Sequence, residues 1–405
     1  LIRLGRAAEA TDVLRATIAD GHMLAGERFA LLASAFTRLG RFDESADALT
    51  SARAFAYGSS SVALEAEVEY FGGLAAFAAG DLATLEATSV RILTFEDRAA
   101  SYGATPVYPV PLAHTRARAY EALGAVALSR NDYRGQATFS RRAIRELDEA
   151  DVSDAWIAAT NVMNLAVLSG THDLFEHVEF LRDRLASIPW TDELSSRRFT
   201  ALDAFGWHLA LRGDNVGAFR QFRLAAAVAR TIPERVLASV SRAHLSHELG
   251  HAPIAREEIE HGIELAEQLS GKNGGSDQRV ALVQLAEAAA KIAPAAARNI
   301  LEQYRATRGG SLMLSLSGVE PWLRASEGIA VGLIARAEGD RTHAVEALTG
   351  AHATLTKAGL EWRAAAVAIE LAELGAGETY LREARREAVR RPASWIARRA
   401  ATLER

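Results

Sequence analysis

The chain has 405 residues, a formal net charge of −5, 49% hydrophobic residues and no cysteine. The missing cysteine excludes a disulfide scaffold, a thiolate metal site and a cysteine nucleophile, and the acidic balance excludes a generally basic nucleic-acid binder. No run of about 18 apolar residues occurs, so no transmembrane helix is expected, and a cysteine-free sequence fits a reducing cytoplasm. Aromatic residues make up 7%, prolines number nine, and alanine is abundant. Small side chains let helices approach closely, and the scarcity of β-branched clusters argues against a β protein. Lysine occurs only at Lys272, Lys291 and Lys357; with the alanine content, this suggests a high-GC bacterial coding sequence.

In chain order, Leu4 to Thr17 have the pattern of a helix that would be the second of a pair. An array that opens on an unpaired helix exposes apolar surface. Leu1-Ile2-Arg3-Leu4-Gly5-Arg6 has no signal-peptide core. Residues 1–20 are therefore expected to be an unpaired N-terminal helix within a longer protein. Next, Phe29, Leu32, Ala33 and Phe36 share one helix face. Gly40 ends that helix, Arg41-Phe42-Asp43-Glu44 opens another, and Ser45, Leu49 and Ala52 form its inward face. Residues 94–113, with Tyr102, Pro106, Tyr108, Pro109 and Pro111, read as an insertion, either functional or an irregular joint. Leu123, Gly124 and Ala127 then precede Asn131-Asp132-Tyr133, with Ala137, Ser140 and Ala143 after it.

The pattern loosens at Gly170, where Leu174, Phe175, Val178 and Leu181 follow without a small residue. It returns with Phe205, Gly206 and Leu209 before Gly213-Asp214-Asn215, and Ala218, Phe222 and Ala225 after. Residues 270–278 read as a flexible linker. Pro294 opens a short helix after Ala293, and residues 308–321 form a Gly- and Ser-bounded apolar strip. Val331, Gly332 and Ala335 precede Gly339-Asp340-Arg341, and Ala344, Leu348 and Ala351 follow. From Leu381 to Arg405 eight arginines face three glutamates, a net of +5. Residues 377–405 thus read as an Arg-rich cap of the array or as a junction to a nucleic-acid-binding module beyond Arg405.

Turns at Gly5, Gly40, Gly80, Asn131, Gly170, Gly213, Gly250, Ala293, Gly339 and Gly375 recur with a mean spacing of about 41 residues, the signature of stacked helical hairpins. The small-large spacing around a Gly-Asp/Arg/Asn-aromatic turn resembles the tetratricopeptide (TPR) repeat, whose usual period is about 34. The expected fold is all-α: an open, right-handed α-solenoid of TPR-like hairpins with roughly twenty helices, spanning 1–405 as one array. The stretch Glu361–Arg399, with Leu371-Ala372-Glu373-Leu374, Tyr380-Leu381-Arg382-Glu383-Ala384 and Pro392-Ala393-Ser394-Trp395, resembles the tail of the helical array in large bacterial LuxR-type transcriptional regulators. That resemblance implies sensing of a small inducer or partner protein, with DNA contacted only through a domain outside this chain.

In such an array the first helix of each pair forms the concave wall. Inward candidates are Arg118, Glu121, Asn161, Asn164, Asp203, Trp207, His244 and His247, a mixture of amide, charge and aromatic suited to a peptide or small polar ligand. The resemblance to peptide-binding TPR proteins implies that Asn161 and Asn164 hold backbone or carboxylate groups, although asparagine is also common at those positions in repeats that bind nothing; for Trp207 the competing role is packing. His244 and His247 would share one helix face with Glu248 alongside, but His251 follows Gly250 and leaves that helix, and no metal is expected there. No Walker loop, dinucleotide fingerprint or nucleophile elbow occurs, so no catalytic residue and no cofactor is expected. The expected function is a non-catalytic ligand- or protein-binding scaffold, the sensor segment of a bacterial regulator; the alternative is a stand-alone adaptor that binds a peptide in its groove. No membrane partner is expected.

Overall fold

The computed structural model describes residues 6–18, 25–59, 61–95, 111–172, 174–269, 275–307 and 320–403. Gly5, Arg405, the linker at 270–274, the strip at 308–319 and Tyr102, Pro106, Tyr108 and Pro109 of the insertion lie outside the described residues. Among those described, the structure is all-α, with twenty α-helices in TPR-like hairpins. They divide into two compact units, Leu1–Asn161 and Val162–Arg405.

The first unit holds α1 (Ala7–Ile18), α2 (Ala25–Arg38), α3 (Phe42–Ser59), α4 (Val62–Ala78), α5 (Leu82–Thr94), α6 (Leu112–Ser129) and α7 (Tyr133–Glu149). Helix α8 (Ala155–His172) begins in it and ends in the second unit. The pairs α2/α3, α4/α5 and α6/α7 are hairpins, and α1 packs on α2. The core of the first of these hairpins contains Ala33, Phe36, Leu49 and Ala52, the face read from the sequence period. The second unit continues with α9 (Val178–Ser187), α10 (Ser195–Leu211), α11 (Asn215–Val228), α12 (Ile232–Glu248), α13 (Ala252–Glu267), α14 (Ser276–Ala290), α15 (Pro294–Ala306), α16 (Glu320–Ala337), α17 (Arg341–Lys357), α18 (Glu361–Glu373), α19 (Glu378–Arg390) and α20 (Trp395–Thr402).

The recurrent Gly-Asp pair makes the hairpin turn by two local devices. Gly213 takes a φ of 85°, a left-handed conformation that costs glycine little. The Asp214 N–H then reaches back to the Leu209 carbonyl at 3.0 Å and closes α10. The Asp214 carboxylate accepts from the Gly217 N–H at 2.8 Å and opens α11. Asp81, Asp132 and Asp340 repeat both roles. The small-large match across each pair is also present: a side chain on Gly206 would lie 2.4 Å from the Phe222 ring, and one on Gly332 would lie 2.6 Å from Leu348.

Gly170 differs from its reading as a turn. It is a buried residue inside α8, and a Cβ there would lie 2.6 Å from the Ala204 carbonyl oxygen of α10. Gly170 thus permits two backbones to approach. Two turns went unread: Gly359 (φ 69°) after α17 and Asp151 (φ 52°) after α7. Because backbone cannot swing aside as a side chain can, Gly170→Ala should destabilise the second unit by about 1–3 kcal/mol. Gly350→Ala, in α17 with nothing within 4 Å of the new methyl, should stabilise it by up to about 1 kcal/mol through helix propensity. Urea midpoints of the two variants check this; a shift of the same sign in both would refute it.

The second unit is closed rather than open. Helices α10, α12, α14 and α16 pack side by side as first helices. Arg363 of α18 donates to Ser326 Oγ of α16 at 3.3 Å. Trp362 Nε1 donates to the Gly170 carbonyl of α8 at 3.1 Å, and α20 packs on α10. Trp395, fully buried, sits 5.8 Å from the His244 ring of α12. An open array would leave these two indoles in water; burying a Trp side chain removes about 150–250 Å² of mostly apolar surface, and this favours closure.

Candidate functional site

The first helices of the second unit enclose a cavity of about 280 Å³. Helices α8, α10, α12, α14, α16 and α18 all contribute to its wall. Three tryptophans line it: Trp207 from α10, Trp322 from α16 and Trp362 from α18. Trp207 and Trp362 stack with centroids 6.0 Å apart and planes 21° from parallel. The His244 ring meets Trp207 edge-on at 5.2 Å.

The polar groups differ in what already occupies them. Glu234 completes the capping box of α12, accepting from the Arg230 and Thr231 N–H groups at 2.8 and 3.1 Å. Arg363 donates to both Glu287 carboxylate oxygens and lies 5.2 Å over the Trp322 ring. Asp203 is otherwise. Trp207 Nε1 donates to Ser241 Oγ at 3.1 Å, and the Ser241 hydroxyl favours the ionised form of the neighbouring Asp203 carboxyl. The Asp203 Oδ1 atom is buried without a hydrogen-bond partner, and so is Trp322 Nε1. Burial pushes the Asp203 carboxyl up to about 7, against the opposing pull of Ser241 and Arg242. Burial also pushes His244 down to about 4, and Lys291 acts in the same direction, so His244 is neutral near pH 7.

Beside the cavity lies a buried ion cluster. Lys291 pairs with Glu248 and, at 3.5 Å, with Glu370. Arg399 of α20 donates to Glu370 and Glu373 at 2.8 Å each, and Arg336 does the same. Burial opposes ionisation of Glu248, but Lys291 and Arg399 outweigh it and hold its carboxyl down to about 2. The Arg-rich tail is accordingly partly internal: Arg391 and Arg399 take carboxylates of this same unit, while Arg382, Arg385, Arg386 and Arg398 are exposed.

Of the residues singled out from sequence, Asp203, Trp207 and His244 meet in the cavity. His247 is half-buried next to the ion cluster and feels Lys291, Glu248 and Arg399. Arg118 and Glu121 belong to the first unit, where Arg118 pairs with buried Glu67 at 3.2 Å and lies 5.5 Å over the Tyr70 ring. Asn161 is fully buried, and its amide donates to the Ile157 carbonyl at 2.9 Å, while its Oδ1 has no hydrogen-bond partner. Asn164 is half-buried on α8 and does not line the cavity. His251 begins α13 as an exposed N-cap residue, and among the described residues no group of three His, Asp or Glu side chains is placed to hold a metal ion. No helix of the described residues is long and apolar enough to cross a membrane.

Sequence reasoning missed Trp322, Trp362, Arg363 and Glu287. The tryptophan count was the available signal: five of the chain's six tryptophans fall in the second unit, and three of them converge here.

No protein-family model and no curated protein matches the chain. Among solved structures, it is similar to a Rap protein complexed with competence and sporulation factor, at 12% identity and a TM-score of 0.48 over 94% of this chain and 100% of that one. It is also similar to the APC/C hetero-tetramer Cut9–Hcn1, at 14% identity and a TM-score of 0.31 over 98% of this chain and 92% of that one.

Proposed function

We propose that the chain is a non-catalytic binding protein that takes a peptide segment of a partner protein into the cavity of its second unit. The observation that carries this is the cavity itself: first helices converge on aromatic walls, with buried polar atoms left without partners. Its volume of about 280 Å³ lies just below the range of about 300–1,000 Å³ usual for drug-sized ligands. It has room for one or two side chains of a longer ligand, beside the half-buried wall residues Thr171, Thr200 and Gln284.

A second reading, the sensor segment of a bacterial transcriptional regulator that takes a small inducer, is favoured by one observation. Trp362 and Arg363 fall within the stretch that resembles LuxR-type regulators, and both line the cavity.

The test is panning of phage-displayed random linear peptides against the full chain, with Thr200→Phe as the control. Thr200 is a half-buried wall residue whose hydroxyl bonds only within its own helix, so a phenyl ring there fills the cavity without opening the core. Enriched peptides should bind wild type and lose at least tenfold in affinity to Thr200→Phe, at an unchanged thermal midpoint. No enrichment, or peptides that bind the variant equally well, would overturn the proposal.

A further inference from the structure

We infer that the cavity of the second unit recognises a protonated amine on an apolar stem, with Asp203 as its counter-ion and the Trp207–Trp362 pair as the surface for the stem. The inference deepens the peptide-binding proposal and rests on it for the source of the amine, a peptide's lysine side chain or its N-terminus.

Charge decides the sign of the ligand. Four carboxylates line the cavity, those of Asp203, Glu234, Asp277 and Glu287, against one cation, Arg363. Arg363 is neutralised by Glu287 and covered by Trp322, so it has no free charge for an anion. His244 on the same wall adds no positive charge near pH 7. An anionic ligand would therefore enter a net negative, low-dielectric space, where like-charge repulsion is strong. A neutral apolar ligand would leave Asp203 Oδ1 unsatisfied, as it is now, and a buried unpaired acceptor is unfavourable.

A cation with N–H donors meets both requirements. Trp207 Nε1 is bonded to Ser241 Oγ, a neighbour that favours the ionised Asp203 carboxyl, and a charge-assisted bond from an N–H donor would supply the partner that the buried Oδ1 lacks. The neighbouring indoles of Trp207 and Trp362 line the same cavity and offer aromatic surface of the kind that attracts a cation and packs on methylene groups. The unit already shows the same chemistry once, internally, where the Arg363 guanidinium lies 5.2 Å over the Trp322 ring with the Glu287 carboxylate beside it.

The test needs no knowledge of the natural ligand. Tryptophan fluorescence of the full chain is titrated with n-butylammonium chloride, butan-1-ol and sodium butyrate at constant ionic strength and pH 8. The amine should saturate the signal, and neither the alcohol nor the carboxylate should do so. Asp203→Asn should weaken the amine at least tenfold, and Thr200→Phe should abolish its effect. Equal binding of alcohol and amine, or an amine affinity unchanged in Asp203→Asn, would overturn the inference. Panned peptides separate it from the parent proposal. Peptides blocked by Thr200→Phe but indifferent to Asp203→Asn would sink the ammonium assignment and leave peptide binding standing. Amine binding without any enriched peptide would do the reverse. For enriched peptides that need Asp203, N-terminal acetylation and lysine→norleucine replacement identify which amine enters; loss of at least tenfold on one of them is expected, and indifference to both would overturn the inference.

Discussion

Glu248→Ala should lower the unfolding free energy of the second unit by about 3–5 kcal/mol, the range for removing one partner of a buried ion pair. The Glu248 side chain is 1% exposed, and it faces Lys291 and Arg399, themselves 11% and 20% exposed. In the variant Lys291 keeps only Glu370 at 3.5 Å, and Glu370 is already shared with Arg399 and Arg336. The cluster has three acids, Glu248, Glu370 and Glu373, and three bases, Lys291, Arg336 and Arg399; deleting one acid leaves a surplus positive charge with little water to take it. Replacing both partners with apolar residues, as in Glu248→Leu with Lys291→Met, should recover most of the loss, because the desolvation of both charges disappears along with their attraction. Urea unfolding followed by tryptophan fluorescence reads the second unit, which holds all the tryptophans except Trp156. A single variant within about 1 kcal/mol of wild type would show that the cluster is solvated and does not secure the closure. The predicted acid response has the same origin: with its carboxyl held down to about 2, Glu248 contributes stability that is complete above its ordinary range near 4.5 and is lost as the pH falls toward 2.

The features legible in the sequence were those written locally. A Gly-Asp pair at the end of an apolar-periodic segment specifies a turn through one φ angle and one carboxylate, both within five residues, so the hairpins and the all-α fold could be read at Gly80, Gly213 and Gly339. Asp203 and Trp207 could be placed on one face of α10 because a period of 3.6 residues brings positions four apart together, and His244 was placed by the register of its own hairpin. Gly170 misled for a physical reason: glycine also serves where backbones touch, and the Ala204 carbonyl that explains it lies on another helix. The rest of the cavity depends on closure. Trp362 reaches the Gly170 carbonyl across 192 residues of sequence, and Arg399 reaches Glu248 across 151; no local period encodes such a pairing. The same distance explains the C-terminal arginines. Their count suggested a solvated cap or a nucleic-acid junction; Arg391 pairs locally with Glu387, four residues earlier, whereas the carboxylates that take up Arg399 are visible only once the unit has folded back on itself.

Asp203→Asn should stabilise the second unit at pH 8 by up to about 4 kcal/mol, taking about 1.4 kcal/mol for each pH unit of displacement. Burial raises the Asp203 carboxyl from its ordinary value near 3.8 to about 7 in the folded chain. Between those values the folded state holds a proton that the unfolded state has released, so stability falls as the pH rises from about 4 to about 7 and then levels off. The groups that face Asp203 do not cancel this. Arg242 lowers it somewhat, but its guanidinium is held by both Glu258 oxygens at 2.7 Å; Ser241 gives one hydrogen bond; His244 is uncharged above about 4. The whole-unit profile is not a simple slope, since burial also holds His172, His208 and His244 down to about 4, and these lower stability as the pH falls from about 6.5. The difference between wild type and Asp203→Asn removes the histidines and isolates one carboxyl. It should be near zero at pH 4 and largest above pH 7, and each kcal/mol should move the thermal midpoint by about 2–4 °C for a unit of this size. A difference that does not change with pH would mean that Asp203 is ionised throughout, with water already on Oδ1. A residue that weakens the empty protein in this way is what a buried counter-ion looks like before its cation arrives: the same substitution that stabilises the unit should remove its hold on an amine.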